Sequence, residues 1–145
     1  MNRQARGSQV FFLAPAKNDA ARAVAQAENA SFLTEGGLIA LDPDAELSVI
    51  LNDMIQNVYQ EESAELSAII QNEFRRNLGI PSRGVDQASF VALNRVYMPA
   101  ALIEAAFISN AREENLLRDK KFRKKVARSI YNALKTYKRR YETRN

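Results

Sequence analysis

Apolar positions along this chain alternate between short strand-like runs and longer helical stripes. Residues 8–14 are aromatic and β-branched and are closed by a proline, which predicts a buried strand. Residues 19–29 are rich in Ala and Gln, and Asn18 or Asp19 can serve as the N-cap, so we expect a helix there.

A long helical stripe occupies residues 44–78, where apolar side chains recur at spacings of three and four. The pattern is compatible with one long helix, or with two helices joined near residues 60–63 with Ser63 as the second N-cap. Gly79 then predicts the end of the helix.

The remaining elements are two short strands and a helical C-terminal part. Residues 88–96 and 100–106 have strand character, and Pro99 separates them. The chain is helical again from Ala111, with an interruption around Asp119. The last helix carries an apolar stripe of six residues: Phe122, Val126, Ile130, Leu134, Tyr137 and Tyr141. This alternation predicts an α/β fold, in which helices flank a mainly parallel, twisted sheet.

Composition narrows the chemistry, because the chain has no histidine and no cysteine. Imidazole bases, thiolate nucleophiles, zinc fingers and disulfides are therefore excluded. The 145 residues suit one domain. No apolar stretch approaches the ~20 residues of a membrane span. The apolar run at residues 10–14 is too short for a secretory signal, so we expect no signal peptide in this chain.

Positive charge is concentrated in residues 118–145, which hold twelve Lys and Arg residues against two acidic ones. Such a segment suits an anionic partner such as nucleic acid, lipid or a cell-wall glycan. We favour the solvated outer face of a helix, because charge patterning alone is a weak functional signal. The sequence has no nucleic-acid recognition motif, so we expect no nucleic-acid partner.

The stretch MPAALIEAAFISN, residues 98–110, sets Glu104 as a lone carboxylate inside an apolar run. An ionised carboxylate in such surroundings is costly unless it is paired, hydrogen-bonded or bound to a metal. Glu104 therefore either has a chemical use or lies at a strand end with its carboxylate in water.

Several motifs in order resemble one enzyme family. They are RGSQVFFLA, an Ala-rich helix ending in AEN, a Gly-Gly loop, LSVILNDM, SAELSAII, VDQASFVAL, MPAALIEAAFISN and REENLL. Over residues 6–137 the chain resembles the zinc-dependent N-acetylmuramoyl-L-alanine amidases of the division-associated type, which cleave peptidoglycan.

The resemblance implies that Glu104 is the catalytic carboxylate. In that family, zinc activates a water for attack on the amide between N-acetylmuramic acid and L-alanine, and the glutamate transfers the proton to the departing amine. Ser109 and Asn110 are expected to cap the following helix. Phe107 and Ile108 are expected to lie in the core.

The chain departs from the family at the metal. The resemblance places the zinc ligands, two histidines and a glutamate, in segments that precede RGSQVFFLA. Residues 1–145 therefore resemble the C-terminal portion of an amidase catalytic domain without its first strands. We expect this portion to bind no zinc alone and to be inactive alone.

Two interpretations of this portion stay open. It is either part of a longer amidase or a noncatalytic module that uses its basic last helix on the cell wall or on a partner. We prefer the first, because half a sheet leaves exposed strand edges that a soluble protein must cover.

Residues of about 27–46 resemble a regulatory insertion of the division-associated members. There the insertion forms a helix that blocks the active site until an activator protein displaces it. An acidic residue of this segment can also reach the zinc, and Glu28 and Glu35 are the candidates. The resemblance further implies peptidoglycan as the partner and a periplasmic or cell-envelope location.

Overall fold

The computed structural model describes residues 3–34, 45–94 and 96–144, with side chains at 3–31, 58–94 and 96–144. The elements, in chain order, are β1 (Ser8–Leu13), α1 (Asp19–Thr34), α2 (Ala45–Asn77), β2 (Ser82–Ala88), β3 (Leu102–Glu104), α3 (Ala111–Arg118) and α4 (Lys120–Arg144). In this described part, no helix has both the length and the apolarity needed to cross a membrane.

The strands form one small sheet in the order β2-β1-β3. β1 lies at the centre, parallel to β2 and antiparallel to β3, so the sheet is mixed. Helices flank this sheet, which confirms the predicted α/β class.

The two faces of β1 contribute to two apolar clusters, because successive strand side chains point to opposite faces. Val10 belongs to the larger cluster, which is built mainly from α2 and α4. Phe11 belongs to the smaller one with Ala21 and Ala25 of α1, and its ring meets that of Phe90 edge-on at 5.2 Å. β1 is thus the strand around which both layers are organised.

α2 is one continuous helix of 33 residues, so the two-helix interpretation is wrong. Ser63 lies inside this helix, and its hydroxyl accepts a hydrogen bond from the Ala100 amide at 3.1 Å. It therefore ties α2 to the segment before β3. Gly79 has a φ of 67°, which fits the predicted stop after the helix.

The strand predicted at residues 88–96 is wrong. The strand is Ser82–Ala88, and Val91–Leu93 forms a 3-10 turn. β2 pairs through its backbone with β1 alone among the described strands, and its first five residues are exposed or partly buried, so they need not be apolar. Gly84, at a φ of 88°, lies where the β1–β2 register shifts, as in a β-bulge.

The C-terminal helices match the prediction in position. The helical part is interrupted at Asp119, whose carboxylate accepts a hydrogen bond from the Lys121 amide at 2.8 Å. The predicted stripe on α4 is correct at its start, where Phe122 is buried, but Leu134 and Tyr141 are about half exposed. Residues spaced by four drift around a helix with about 3.6 residues per turn. The buried line therefore moves to Ala133.

The segment proposed as an insertion is described only in part. Residues 27–34 continue α1 past its predicted end at residue 29, as far as Thr34. Residues 35–44, which include Glu35, lie outside the described residues.

Candidate functional site

Glu104 is the last residue of β3, where it pairs with Gln9 of the central strand. Its position is fixed by the backbone ladder between β3 and β1, which joins residues 102–104 to residues 9–11. The side chain is partly buried. The carboxylate is therefore carried by a rigid element rather than by a loop.

The Glu104 carboxylate has an unsatisfied oxygen. Its Oε2 is buried and has no hydrogen-bond partner among the described residues. Burial raises the pKa of Glu104, and the negative charge of Glu28 on α1 raises it further, while Arg83 acts in the opposite direction. The strand-end interpretation with the carboxylate fully in water is thus not what the structure shows.

Arg83 is held beside this site by two contacts. Its Nε donates to Gln9 Oε1 at 2.9 Å, and its guanidinium lies over the Phe107 ring at 5.3 Å from the centroid. Both contacts restrict the guanidinium, which keeps a positive charge near Glu104. Sequence reasoning missed Arg83 and Gln9, and a polar residue inside a buried strand was the available indication for Gln9.

Glu113 is a second carboxylate near this end of the sheet, with a different environment. It is 3% exposed. Its Oε1 accepts from the Gly7 amide at 2.7 Å and its Oε2 accepts from the Phe107 amide at 2.9 Å. Glu113 thereby joins the start of β1 to the segment after β3.

The start of α3 explains how Glu113 is placed. Asn110 is the N-cap, as predicted, and its side chain accepts from the amides of Arg112 and Glu113. A glutamate three residues after an N-cap is the capping-box spacing, which could have indicated that Glu113 is structural. Phe107 is partly buried, but Ile108 is 68% exposed, so the core prediction for Ile108 is wrong.

The described residues do not fit a zinc ion. Among the side chains described, at residues 3–31, 58–94 and 96–144, no group of three or more acidic side chains could hold a metal. The whole chain has neither histidine nor cysteine. Zinc sites in proteins use three or four protein ligands, and Glu104 with Glu28 supplies two carboxylates at most.

Sequence comparison identifies relatives along nearly the whole chain. A family model described as N-acetylmuramoyl-L-alanine amidase matches residues 1–136. The amidase AmiC of Escherichia coli O6:H1 is 33% identical over 94% of this chain, which covers 33% of that protein. AmiA of Escherichia coli K12 is 32% identical over 94% of this chain and 47% of its own length. The chain thus spans between a third and a half of these relatives.

Solved structures show the same fold. An N-acetylmuramoyl-L-alanine amidase from Clostridium difficile 630 matches with a TM-score of 0.57 at 17% identity, covering 94% of this chain and 50% of that one. The CwlD amidase from Clostridioides difficile, solved in complex with the GerS lipoprotein, matches with a TM-score of 0.56 at 22% identity, covering 94% and 48%. By the match over residues 1–136, the chain belongs to the N-acetylmuramoyl-L-alanine amidase family.

Proposed function

We propose that this chain contributes the catalytic carboxylate, Glu104, to hydrolysis of the amide between N-acetylmuramic acid and L-alanine in peptidoglycan. One observation carries the proposal: the buried Glu104 Oε2 has no partner among the described residues, in a chain of the amidase family. We do not favour a purely noncatalytic wall-binding module, because the relatives that match are amidases.

Glu104 suits a proton-transfer role. In the reaction the bond between the lactyl carbonyl carbon and the alanine nitrogen breaks, and water supplies the new hydroxyl on that carbon. The Glu104 carboxylate accepts the water proton and delivers it to the leaving nitrogen. A raised pKa brings a carboxyl group closer to neutral pH, where the same group can act as base and then as acid. Arg83 limits the rise, which preserves the ionised form that begins the cycle.

We further propose that the chain alone does not complete this reaction, because its described residues do not fit the metal. The purified chain with added zinc should release no soluble stem peptides from insoluble peptidoglycan. Release at a rate that falls in Glu104→Gln would overturn this part of the proposal.

The role of Glu104 is tested in a chimera. Residues 1–136 of this chain replace the matching part of Escherichia coli AmiA, which supplies the remainder of the enzyme. We expect the chimera to release stem peptides from peptidoglycan, and Glu104→Gln to lower the rate by about 10²–10⁴. Glu61→Gln is the matched control, because Glu61 is exposed on α2. A Glu104→Gln chimera that keeps the control rate would contradict the assignment.

Because the proposed substrate is peptidoglycan, we propose that the reaction takes place in the cell envelope. Glu28 lies at the start of the segment proposed as an insertion, and its charge acts on Glu104. This supports a regulatory segment close to the site, on which an activator protein can act. A related amidase of the same fold has been solved with the GerS lipoprotein, which is in keeping with protein partners in this family.

A further inference from the structure

An open groove lies between the end of α2 and the N-terminal half of α4. Its volume is about 580 Å³, within the size range of small-ligand sites. None of the described residues that line it is acidic. Five of them are cationic: Arg76, Lys121, Lys124, Lys125 and Arg128. None of these residues is among the groups described around Glu104, so the groove is a separate feature.

The cations of this groove are poorly neutralised. Arg76 lies 3.8 Å from the Glu73 carboxylate, at the long end of an ion pair. Lys121, Lys124, Lys125 and Arg128 form no ion pair with any residue that the structure describes. Like charges gathered in a concave surface repel one another and create a local positive potential, which a bound anion relieves.

One residue that lines the same groove has a buried hydroxyl group with no partner among the described residues. Ser129 lines it and is 1% exposed. Its Oγ has no hydrogen-bond partner among the described residues. A buried hydroxyl without a partner is unfavourable, and this observation is independent of the charges.

We propose that the groove binds a phosphate-bearing anion, with Lys124 and Arg128 as its main contacts. A single carboxylate neutralises one cation, whereas five gathered cations suit a ligand with several negative charges. Arg presents a planar fork that matches phosphate oxygens, and Lys adds point charges around it. The groove has room for more than one inorganic phosphate, so it can accept a ligand with several phosphate groups or with a phosphate on a larger molecule.

Calorimetric titration of the full chain with tripolyphosphate tests the proposal, with citrate as a carboxylate anion that also carries several negative charges. Lys124→Gln with Arg128→Gln should weaken tripolyphosphate binding at least tenfold. The matched control is Lys135→Gln with Arg139→Gln, which removes the same charge from the same helix at the same spacing, outside this groove. The control should bind within about twofold of the unmodified chain.

Flotation with vesicles of phosphatidylglycerol, against phosphatidylcholine vesicles, distinguishes a lipid phosphate from a soluble one. Binding to either phosphate source that is lost in the groove variant and kept in the control supports the proposal. Equal loss in both double variants would overturn it, since the effect would then be general electrostatic attraction. Citrate binding as tight as tripolyphosphate binding, or no binding to either phosphate source, would also overturn it.

Discussion

Glu104 and Glu113 are two buried or partly buried glutamates at the same end of the sheet, and their surroundings are opposite. Both oxygens of Glu113 accept backbone hydrogen bonds, from Gly7 and from Phe107. Glu104 Oε2 has no partner among the described groups, and burial raises the pKa of this carboxyl. The same type of side chain therefore stabilises the fold at Glu113 and keeps an oxygen available for chemistry at Glu104.

This difference indicates that one glutamate contributes to stability and the other to function. A carboxylate whose oxygens are satisfied by amides contributes to folding, and its loss leaves buried donors without acceptors. A carboxylate left unsatisfied lowers stability, and such groups are concentrated at sites where they do chemistry. Substitutions of these two glutamates and their neighbours should therefore change stability in different directions as well as by different amounts.

Glu113→Ala should have the largest effect on stability. It leaves the amides of Gly7 and Phe107 without their acceptor, and we expect a loss of about 3 kcal/mol in the free energy of unfolding. Urea denaturation followed by circular dichroism measures it. Glu114→Ala is the control on the same helix, because its ion pair with Arg118 is exposed and contributes less than about 1 kcal/mol. Equal losses in the two variants would remove the special role of Glu113.

Gly7→Ala tests the partner of Glu113. Gly7 has a φ of 103°, and an added Cβ would overlap the carbonyl oxygen of Pro81. We expect a loss of about 2 kcal/mol from backbone strain and displacement of the amide that binds Glu113. Gly79→Ala is the comparison, because Gly79 has positive φ but open space around it, and should cost about 1 kcal/mol. A smaller loss at Gly7 than at Gly79 would contradict this account.

Glu104→Gln should raise stability at pH 7, in contrast to the variants at Glu113 and Gly7. A carboxyl with a raised folded-state pKa contributes stability below its unfolded pKa and loses it as pH rises through the folded pKa. The variant should therefore show a modestly higher Tm than the unmodified chain at pH 7 and no such gain below pH ~4. Thermal melts at the two pH values measure this. A lower Tm of the variant at pH 7 would mean that Glu104 is a structural carboxylate like Glu113.

Glu65→Gln should have the smallest effect. Glu65 on α2 accepts hydrogen bonds from Arg140 and Arg144, which outweigh burial and lower its pKa. Both arginines are largely exposed, so their two ion pairs with Glu65 should together contribute about 0.5 kcal/mol of stability at pH 7. This contribution is lost as the pH falls through the lowered pKa of Glu65. High salt should reduce it further in urea denaturation. A loss in the free energy of unfolding as large as that of Glu113→Ala would contradict the claim that the buried carboxylate contributes more than the exposed ion pairs.

The local parts of this comparison could be predicted from the sequence. The strand that carries Glu104 and the N-cap at Asn110 depend on neighbouring residues. The structure has the N-cap where the pattern indicates, and it has the strand within residues 100–106 but only over Leu102–Glu104. The contacts of Glu113 with Gly7 and of Arg83 with Gln9 join distant parts of the chain, and periodicity does not specify such pairs. β2 was missed for a related reason, because its place in the sheet depends on backbone pairing with β1.

The most direct test of the central claim is the rate of stem-peptide release per folded molecule in the AmiA chimera, compared between Glu104→Gln and Glu113→Gln. The account predicts that the Glu104 variant is fully folded and loses about 10²–10⁴ in rate. The Glu113 variant should unfold more easily and keep nearly the full rate per folded molecule. A folded Glu104 variant with an unchanged rate would contradict the account.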